Sequence, residues 1–131
     1  MSRIAIEPSD GPKPVGPYSP AIRAGDFVFV SGQGAIDPQT RQFVGVNDIQ
    51  VQTRRVLENI QLVLKAAGLY MDDITKVTVF LKKASDFQAM NEVYRSFFSK
   101  SPPARSTIVT DLLFPEMLIE IEAVAYAKKS M

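Results

Sequence analysis

The sequence predicts an α+β domain, in which one mostly antiparallel or mixed β-sheet packs two helices on one of its faces. Three observations lead to this prediction. Two segments carry apolar residues at helical spacing, several short runs are rich in β-branched residues, and the elements follow the order strands, helix, strand, helix, strands. No repeat, linker or low-complexity tract divides the chain, so we expect residues 1–131 to form a single domain.

The N-terminal part is expected to hold an extended arm followed by a strand. Residues 11–20 contain too many Gly and Pro residues for a helix or a central strand, which favours an extended surface arm. The apolar run at residues 27–30 (FVFV) predicts a buried strand, and SGQG at residues 31–34 predicts the turn that ends it.

Two amphipathic helices are predicted. The first begins near Asn47, with Gln50 completing a capping box, and ends at Gly68, a residue type common after helix C-termini. The second runs from about residue 85 to residue 98. Ser85 and Gln88 match a second capping box, and the two prolines at 102 and 103 end the helix.

Three further strands are predicted, at residues 74–81, 105–109 and 117–126. With both helices on one face, the other face of the sheet has no cover. We expect Thr78, Arg105 and Glu120 on that face, together with apolar neighbours such as Phe80 and Tyr126. A mixed polar and apolar face without a helix over it indicates burial against another subunit.

Composition excludes several classes of chemistry. The chain has no histidine and no cysteine, so Ser-His-Asp triads, thiol nucleophiles and zinc sites built on His or Cys are impossible. With 15 Lys plus Arg against 14 Asp plus Glu, the net charge of +1 creates no field that favours nucleic acid. No apolar run reaches the length of a signal peptide or a membrane span, so we expect a soluble, cytoplasmic protein.

Two glycine-rich nucleotide-binding motifs are incomplete in this sequence. Gly32 and Gly34 follow a strand, but the third glycine of a dinucleotide loop is missing, because position 37 is Asp37. Gly11 and Gly16 have the spacing of a P-loop, but Pro17 stands where that loop needs lysine. No cluster of carboxylates suggests a magnesium site, so we predict no metal site.

Arg105 and Glu120 are the candidate functional pair. An arginine at the start of a strand can clamp a carboxylate through two parallel hydrogen bonds. A glutamate in an otherwise apolar strand is a candidate base, because partial burial raises its pKa. Each residue also has a structural explanation, as an edge-strand charge or a solvated strand position, and residue types alone leave that choice open.

Five segments, in order and spacing, resemble one family over nearly the whole chain. They are GPYSPA at 16–21, VSGQ at 30–33, FQAMNEVY at 87–94, PARS at 103–106 and IEIEA at 119–123. The family is RidA/YjgF, and the resemblance implies chorismate-mutase-like subunits that form homotrimers with sites between neighbours. It also implies cofactor-independent hydrolysis of 2-enamino or 2-imino acids, such as 2-iminobutanoate and 2-iminopropanoate, to 2-keto acids and ammonia. These substrates would come from pyridoxal-phosphate-dependent dehydratases.

The resemblance also implies residue roles. Arg105 would clamp the substrate carboxylate, and Glu120 would position or activate water. Tyr18, Ser31 and Asn91 would line the cleft and orient substrate or water, and Phe87 would form part of its apolar wall. Some relatives carry a cysteine two residues after the arginine, where this chain has Thr107, so chemistry that depends on a thiol there is excluded.

Two other functions are carried as alternatives. In the first, the chain is a non-enzymatic module that senses small carboxylates or contacts partner proteins. In the second, it is a ribonuclease or translation inhibitor, which is how some relatives have been described. The retained Arg105 favours the enzyme over the sensor. The near-neutral charge and the absence of histidine argue against nucleic acid as a partner.

Overall fold

The computed structural model describes residues 2–127, so Met1 and residues 128–131 of the predicted domain lie outside the described residues. Within them, the chain forms one six-stranded mixed sheet and two α-helices, which confirms the predicted α+β class. The strands lie in the order β1-β2-β3-β6-β4-β5, and every pair is antiparallel except β4 with β5. In chain order the elements are β1 (Ile4–Ile6), β2 (Ala21–Ala24), β3 (Phe27–Gln33), α1 (Ile49–Ala66), β4 (Ile74–Leu81), α2 (Phe87–Arg95), β5 (Ala104–Val109) and β6 (Ile119–Tyr126).

Both helices pack on the same face of the sheet and enclose one core. Alternate residues of the central strands point into this core, as the sequence pattern predicts: Ile119, Ile121, Ala123 and Ala125 of β6, and Val77, Val79 and Leu81 of β4. The apolar stripes of α1 and α2 face them, with Leu57, Ile60, Leu64 and Met90 fully buried. Among residues 2–127, no helix is long and apolar enough to cross a membrane.

The predicted helix starts are corrected by the structure. The N-cap of α1 is Asp48, whose carboxylate accepts from the Val51 backbone N–H at 3.1 Å. Asn47 precedes it in the left-handed region, at φ 64°, which asparagine tolerates better than most residues. The Gln50 side chain reaches α2 instead of closing a capping box, and donates to the Ala89 carbonyl.

The second helix is shorter than predicted. A single 3₁₀ turn at Ala84–Asp86 precedes α2, and Asp86 is its N-cap without a side-chain hydrogen bond to the helix. The Ser85 and Gln88 capping box is therefore wrong. The helix ends at Arg95, and isolated turns continue the chain toward the prolines.

The N-terminal region differs from the prediction in two ways. The short strands β1 and β2 were missed, and residues 31–33 continue β3 instead of forming a turn. A bulge lies between Val30 and Gln33, which lets the strand bend while it stays in the sheet. Residues 13–18 are exposed as an arm, but Gly11 and Pro12 are buried.

The uncovered face of the sheet exists, but Arg105 does not lie on it. The exposed rings of Phe27, Phe29 and Tyr126 lie on this open face, at 41%, 47% and 41% exposure. Glu120 pairs with Phe80 across β6 and β4, which places both on the open face as predicted. Arg105 pairs in parallel with the buried Val77, so its side chain leaves β5 on the helix face. The strand was predicted correctly, but its register could not be read from the sequence.

Candidate functional site

A cavity of about 370 Å³ lies beside Glu120. Its walls come from the N-terminal arm, the end of β3 and the segment before β6. Apolar side chains form much of the wall, among them Val15, Ile36, Phe43, Leu113, Phe114 and Met117. Tyr18, Ser31, Glu120 and Glu122 supply polar groups. We call this site the Glu120 cavity.

The carboxyl of Glu120 has a shifted pKa in this cavity. Its side chain is half-buried, and burial raises the pKa of Glu120 above its usual value. The neighbouring carboxylate of Glu122, two residues along β6 on the same face, raises the pKa further. Within residues 2–127, Glu120 forms no ion pair that would lower the pKa again.

A glycine in the bulged part of β3 makes room for this carboxylate. A Cβ added at Gly32 would overlap the Glu120 carboxylate and lie 2.9 Å from its Cδ. The backbone of β3 therefore forms one wall against which the carboxylate rests. The sequence signal for this contact was misread, because SGQG at residues 31–34 was interpreted as a turn.

Ser31 and Tyr18 hold the arm that closes the cavity. The Ser31 hydroxyl donates to the Ser19 carbonyl at 2.6 Å, and its backbone N–H donates to Pro20 at 3.0 Å. The Tyr18 hydroxyl accepts from the Val15 backbone N–H at 3.2 Å. Tyr18, Ser31 and Glu120 therefore line one cavity.

Two buried amides on α1 fix the far wall, and neither was predicted from the sequence. Asn59 donates to the carbonyls of Gly34 and Ile36 at 3.2 and 2.8 Å. Gln52 donates to Glu116 and accepts from the Leu118 backbone N–H at 2.9 Å. Asn59 and Gln52 stand seven residues apart, hence on one face of the helix, beside the buried Val56 and Val63. This spacing is the signal that reveals them, because buried amides require partners.

Arg105 lies at the other edge of the sheet, against α2. Its guanidinium carbon is 4.7 Å from the ring centre of Tyr94 and 5.6 Å from that of Phe87. Three buried polar atoms without a hydrogen-bond partner occur on the same elements: Asn91 Oδ1, the Tyr94 hydroxyl and Thr107 Oγ1. Burial raises the pKa of Tyr94, and the charge of Arg105 and its interaction with the Tyr94 hydroxyl oppose this rise. We call Phe87, Asn91, Tyr94, Arg105 and Thr107 the Arg105 cluster.

The Glu120 cavity and the Arg105 cluster are not joined within one chain. Strand β4 separates β6 from β5, so their backbones are roughly 10 Å apart across the sheet. The pairs Phe80–Glu120 and Val77–Arg105 add an offset of roughly 10 Å along the strands. The two side chains also leave the sheet on opposite faces. The structure therefore brings together Tyr18, Ser31 and Glu120, and separately Phe87 and Arg105. Asn91, four residues after Phe87, lies on the same face of α2.

The Arg105 cluster and the Glu120 cavity are suited to different chemical steps. Arg105 has a planar fork of N–H donors that suits a carboxylate, and no acidic side chain of residues 2–127 pairs with it. Glu120 can accept a proton from water and return it. Across residues 2–127, no group of three or more acidic side chains is arranged to hold a metal ion.

Comparison with known proteins gives consistent family matches. The family model described as endoribonuclease L-PSP, which is the RidA/YjgF family, matches residues 8–127. A RutC family protein of Pyrococcus horikoshii is 53% identical over 117 residues, covering 89% of this chain and 92% of that protein. A protein named 3-aminoacrylate deaminase RutC, from Acinetobacter baylyi, is 39% identical and covers 96% of this chain and 99% of its own.

A solved structure shows the same fold. The structure of Escherichia coli TdcF with bound serine is 38% identical and superposes with a TM-score of 0.89. The match covers 95% of this chain and 99% of that one. The predicted family is thereby confirmed.

Proposed function

Because the chain belongs to the RidA/YjgF family, we propose that it hydrolyses 2-imino and 2-enamino acids to 2-keto acids and ammonia. The observation that carries this proposal is the half-buried Glu120, whose pKa is raised beside a cavity with an apolar wall. The proposal is supported by a relative named as a deaminase of an enamino acid, 3-aminoacrylate, and by a relative whose structure holds serine. The substrates would be 2-iminobutanoate and 2-iminopropanoate, released by dehydratases that use pyridoxal phosphate.

The site would form between subunits of a homotrimer. Arg105 and Glu120 leave opposite faces of the sheet, so one substrate cannot contact both within a single chain. A second copy that packs its Arg105 cluster against the open face would bring the two together. The exposed rings of Phe27, Phe29 and Tyr126 favour such packing, because an apolar face of this kind is typically covered.

In the proposed mechanism, Arg105 binds the carboxylate of the imine through two charge-assisted hydrogen bonds. An enamine first gains a proton at C3 and becomes the protonated imine. Glu120 takes a proton from water as the oxygen bonds to C2, which gives a tetrahedral carbinolamine. The nitrogen then receives that proton. Glu120 takes the proton of the new hydroxyl as the C=O bond forms, the C–N bond breaks and ammonia leaves.

This chemistry requires positioning more than activation. A protonated imine is already electrophilic, so the proposed reaction uses no metal and no cofactor. Holding the carboxylate and one water in line converts the encounter into an intramolecular step, which can supply a large rate gain. The raised pKa of Glu120 serves this role, because a weaker acid is a stronger base once ionised.

The substrate test measures 2-keto acid or aldehyde release from enamines generated in the cuvette. It compares 2-aminocrotonate, 2-aminoacrylate and 3-aminoacrylate, since the A. baylyi relative is named for the last. Native protein should accelerate release, and Arg105→Ala and Glu120→Gln should each lose most of this acceleration. Binding of 2-oxobutanoate without any turnover would support the carboxylate sensor instead. RNA degradation that survives purification and disappears in Arg105→Ala would support the ribonuclease.

The subunit arrangement is tested by mixing the two inactive variants. In trimers assembled at random from Arg105→Ala and Glu120→Gln chains, about a quarter of the sites would pair an intact Arg105 with an intact Glu120. Refolding the mixture should therefore restore activity that neither variant has alone. If every site lay within one chain, the mixture would stay inactive. Size-exclusion chromatography with light scattering supplies the subunit number.

A further inference from the structure

The Arg105 guanidinium rests on aromatic rings. The ring centre of Tyr94 is 4.7 Å from its central carbon, and that of Phe87 is 5.6 Å away. Both distances lie within the range in which a cation is attracted to a ring face. No carboxylate of residues 2–127 forms an ion pair with Arg105. The rings are therefore the identified contacts that orient this side chain.

Tyr94 is the rigid member of the pair of rings. It lies on the inner side of α2, only 5% exposed, and belongs to the core shared by the helices and the sheet. Its ring also packs against Phe98 at 5.0 Å. Phe87, in the first turn of α2, is 37% exposed and is less constrained. A fixed ring under a long, flexible side chain limits the directions in which the guanidinium points.

A ring orients an arginine differently from a carboxylate. An aromatic ring attracts the cation without taking the two parallel N–H bonds that a carboxylate takes, so most of the five N–H donors stay available. A carboxylate partner would occupy those N–H groups and compete with an incoming acid. The Tyr94 hydroxyl makes no hydrogen bond of normal geometry, but it lies close enough to Arg105 that the guanidinium opposes the rise that burial causes in the pKa of Tyr94. The ring and the hydroxyl therefore both face Arg105, and Tyr94→Phe separates their effects.

We propose that Tyr94 is a positioning residue, whose ring holds the Arg105 guanidinium in the orientation that accepts a carboxylate edge-on. The inference rests on the proposed function, in which Arg105 clamps the substrate carboxylate. It goes beyond that function, because it assigns the orientation of the clamp to a buried residue of α2.

The experiment compares Tyr94→Phe, Tyr94→Leu and a matched control, Phe97→Leu. Phe97 stacks on Arg54 at 5.7 Å, so its replacement removes a ring from an arginine on α1 that has no part in the proposed site. For each protein, kcat and KM are measured with 2-aminocrotonate, and calorimetry gives the Kd for 2-oxobutanoate. Circular dichroism and the Tm establish that each variant is folded.

Tyr94→Leu should raise KM and Kd about tenfold, which is about 1.4 kcal/mol, while kcat changes less than KM. Tyr94→Phe keeps the ring and should stay within about twofold of native protein in KM and Kd. Phe97→Leu should leave both constants unchanged. In an Arg105→Gln background, Tyr94→Leu should have almost no further effect on kcat/KM, because no guanidinium remains to be positioned.

Several results would overturn the inference. Native KM and Kd in folded Tyr94→Leu would exclude a positioning role, and equal losses in Tyr94→Phe and Tyr94→Leu would assign the effect to the hydroxyl. An undiminished effect in the Arg105→Gln background would make the role purely structural. Should Tyr94→Leu fail to fold, Tyr94→Met fills more of the space of the ring and carries the same expectation.

Calorimetry separates this inference from the proposed function. Weakened binding of 2-oxobutanoate in Tyr94→Leu, with no turnover by native protein, would refute the deaminase but support the positioning role. Full turnover by native protein with unchanged constants in Tyr94→Leu would support the deaminase but refute the positioning role. If native protein neither binds the acid nor turns over enamines, both are wrong.

Discussion

Replacing Gly32 by alanine should disable Glu120 without unfolding the chain. The added Cβ would overlap the Glu120 carboxylate and stand 2.9 Å from its Cδ and 3.2 Å from its Cγ. Carbon atoms in contact prefer separations of about 3.5 to 4.0 Å, so the carboxylate must swing away from β3. Gly32 is not among the glycines with positive φ, so alanine can adopt its backbone conformation.

The size of the effect follows from this displacement. Restoring normal contact to Cδ requires a shift of more than about 0.5 Å, and the overlapping oxygen must move farther. A misplacement of about 1 Å in a catalytic group can cost about a hundredfold in rate. We therefore expect Gly32→Ala to lower kcat between about tenfold and a hundredfold, or about 1.4 to 2.8 kcal/mol in the activation barrier.

The assay is enamine hydrolysis at saturating substrate, with thermal unfolding measured on the same samples. The matched control is Gly34→Ala, in which the new Cβ would meet the end of the Met117 side chain at 3.1 Å. A flexible methionine can move away, so this variant should keep most of its kcat. Equal kcat for native protein and Gly32→Ala would refute the reasoning. A loss of the same size in a Glu120→Gln background would also refute it, because the displaced carboxylate is then absent.

Three other predictions follow from the same site. Glu122→Gln removes a charge that raises the pKa of Glu120, so the acid limb of the pH–rate profile should move to lower pH. Glu120→Gln should change stability in the opposite sense to activity. The folded chain binds the Glu120 proton more readily than the unfolded chain, so native stability falls as pH rises through the raised pKa. The Glu120→Gln variant cannot lose this proton, so its free energy of unfolding should not fall over the same pH range. Unfolding experiments at several pH values should therefore find the variant more stable than native protein at neutral pH. Asn59→Ala removes the donors to Gly34 and Ile36, and should lower the free energy of unfolding by about 1 to 3 kcal/mol, a drop in Tm of roughly 5 to 10 °C.

Much of the fold could be predicted because apolar residues recur with strand or helix periodicity in the core elements. Strand β4 was placed at its observed ends, Ile74–Leu81, since this run is rich in the β-branched residues that favour strands. The helix ends were harder to place. Asn47 and Asp48 are both good capping residues, and only the backbone shows that Asn47 takes the left-handed position. Strands β1 and β2 have three and four residues, too few for a periodic signal.

The sequence indicated which residues belong to the candidate site better than it indicated the face of the sheet on which each one lies. Glu120 could be assigned to the open face from the alternation along β6, and that assignment is confirmed. Arg105 was placed on the wrong face, because the face of an edge strand depends on its register with β4, and no local pattern records a parallel register. Gly32 was read as part of a turn, because a bulge in a strand carries the same residue types as a turn.

The register of β5 also connects the fold to the proposed assembly. The crossover from β4 through α2 to β5 makes this pair parallel, so Arg105 shares a face with Val77 and meets the aromatic rings of α2. A shift of β5 by one residue would move Arg105 to the open face, nearer Glu120, but would take it away from Tyr94. The observed register keeps the cation on a rigid support at the edge of the sheet. In the proposed reaction, the arginine that faces Glu120 would then come from another chain, so the proposed activity would require assembly.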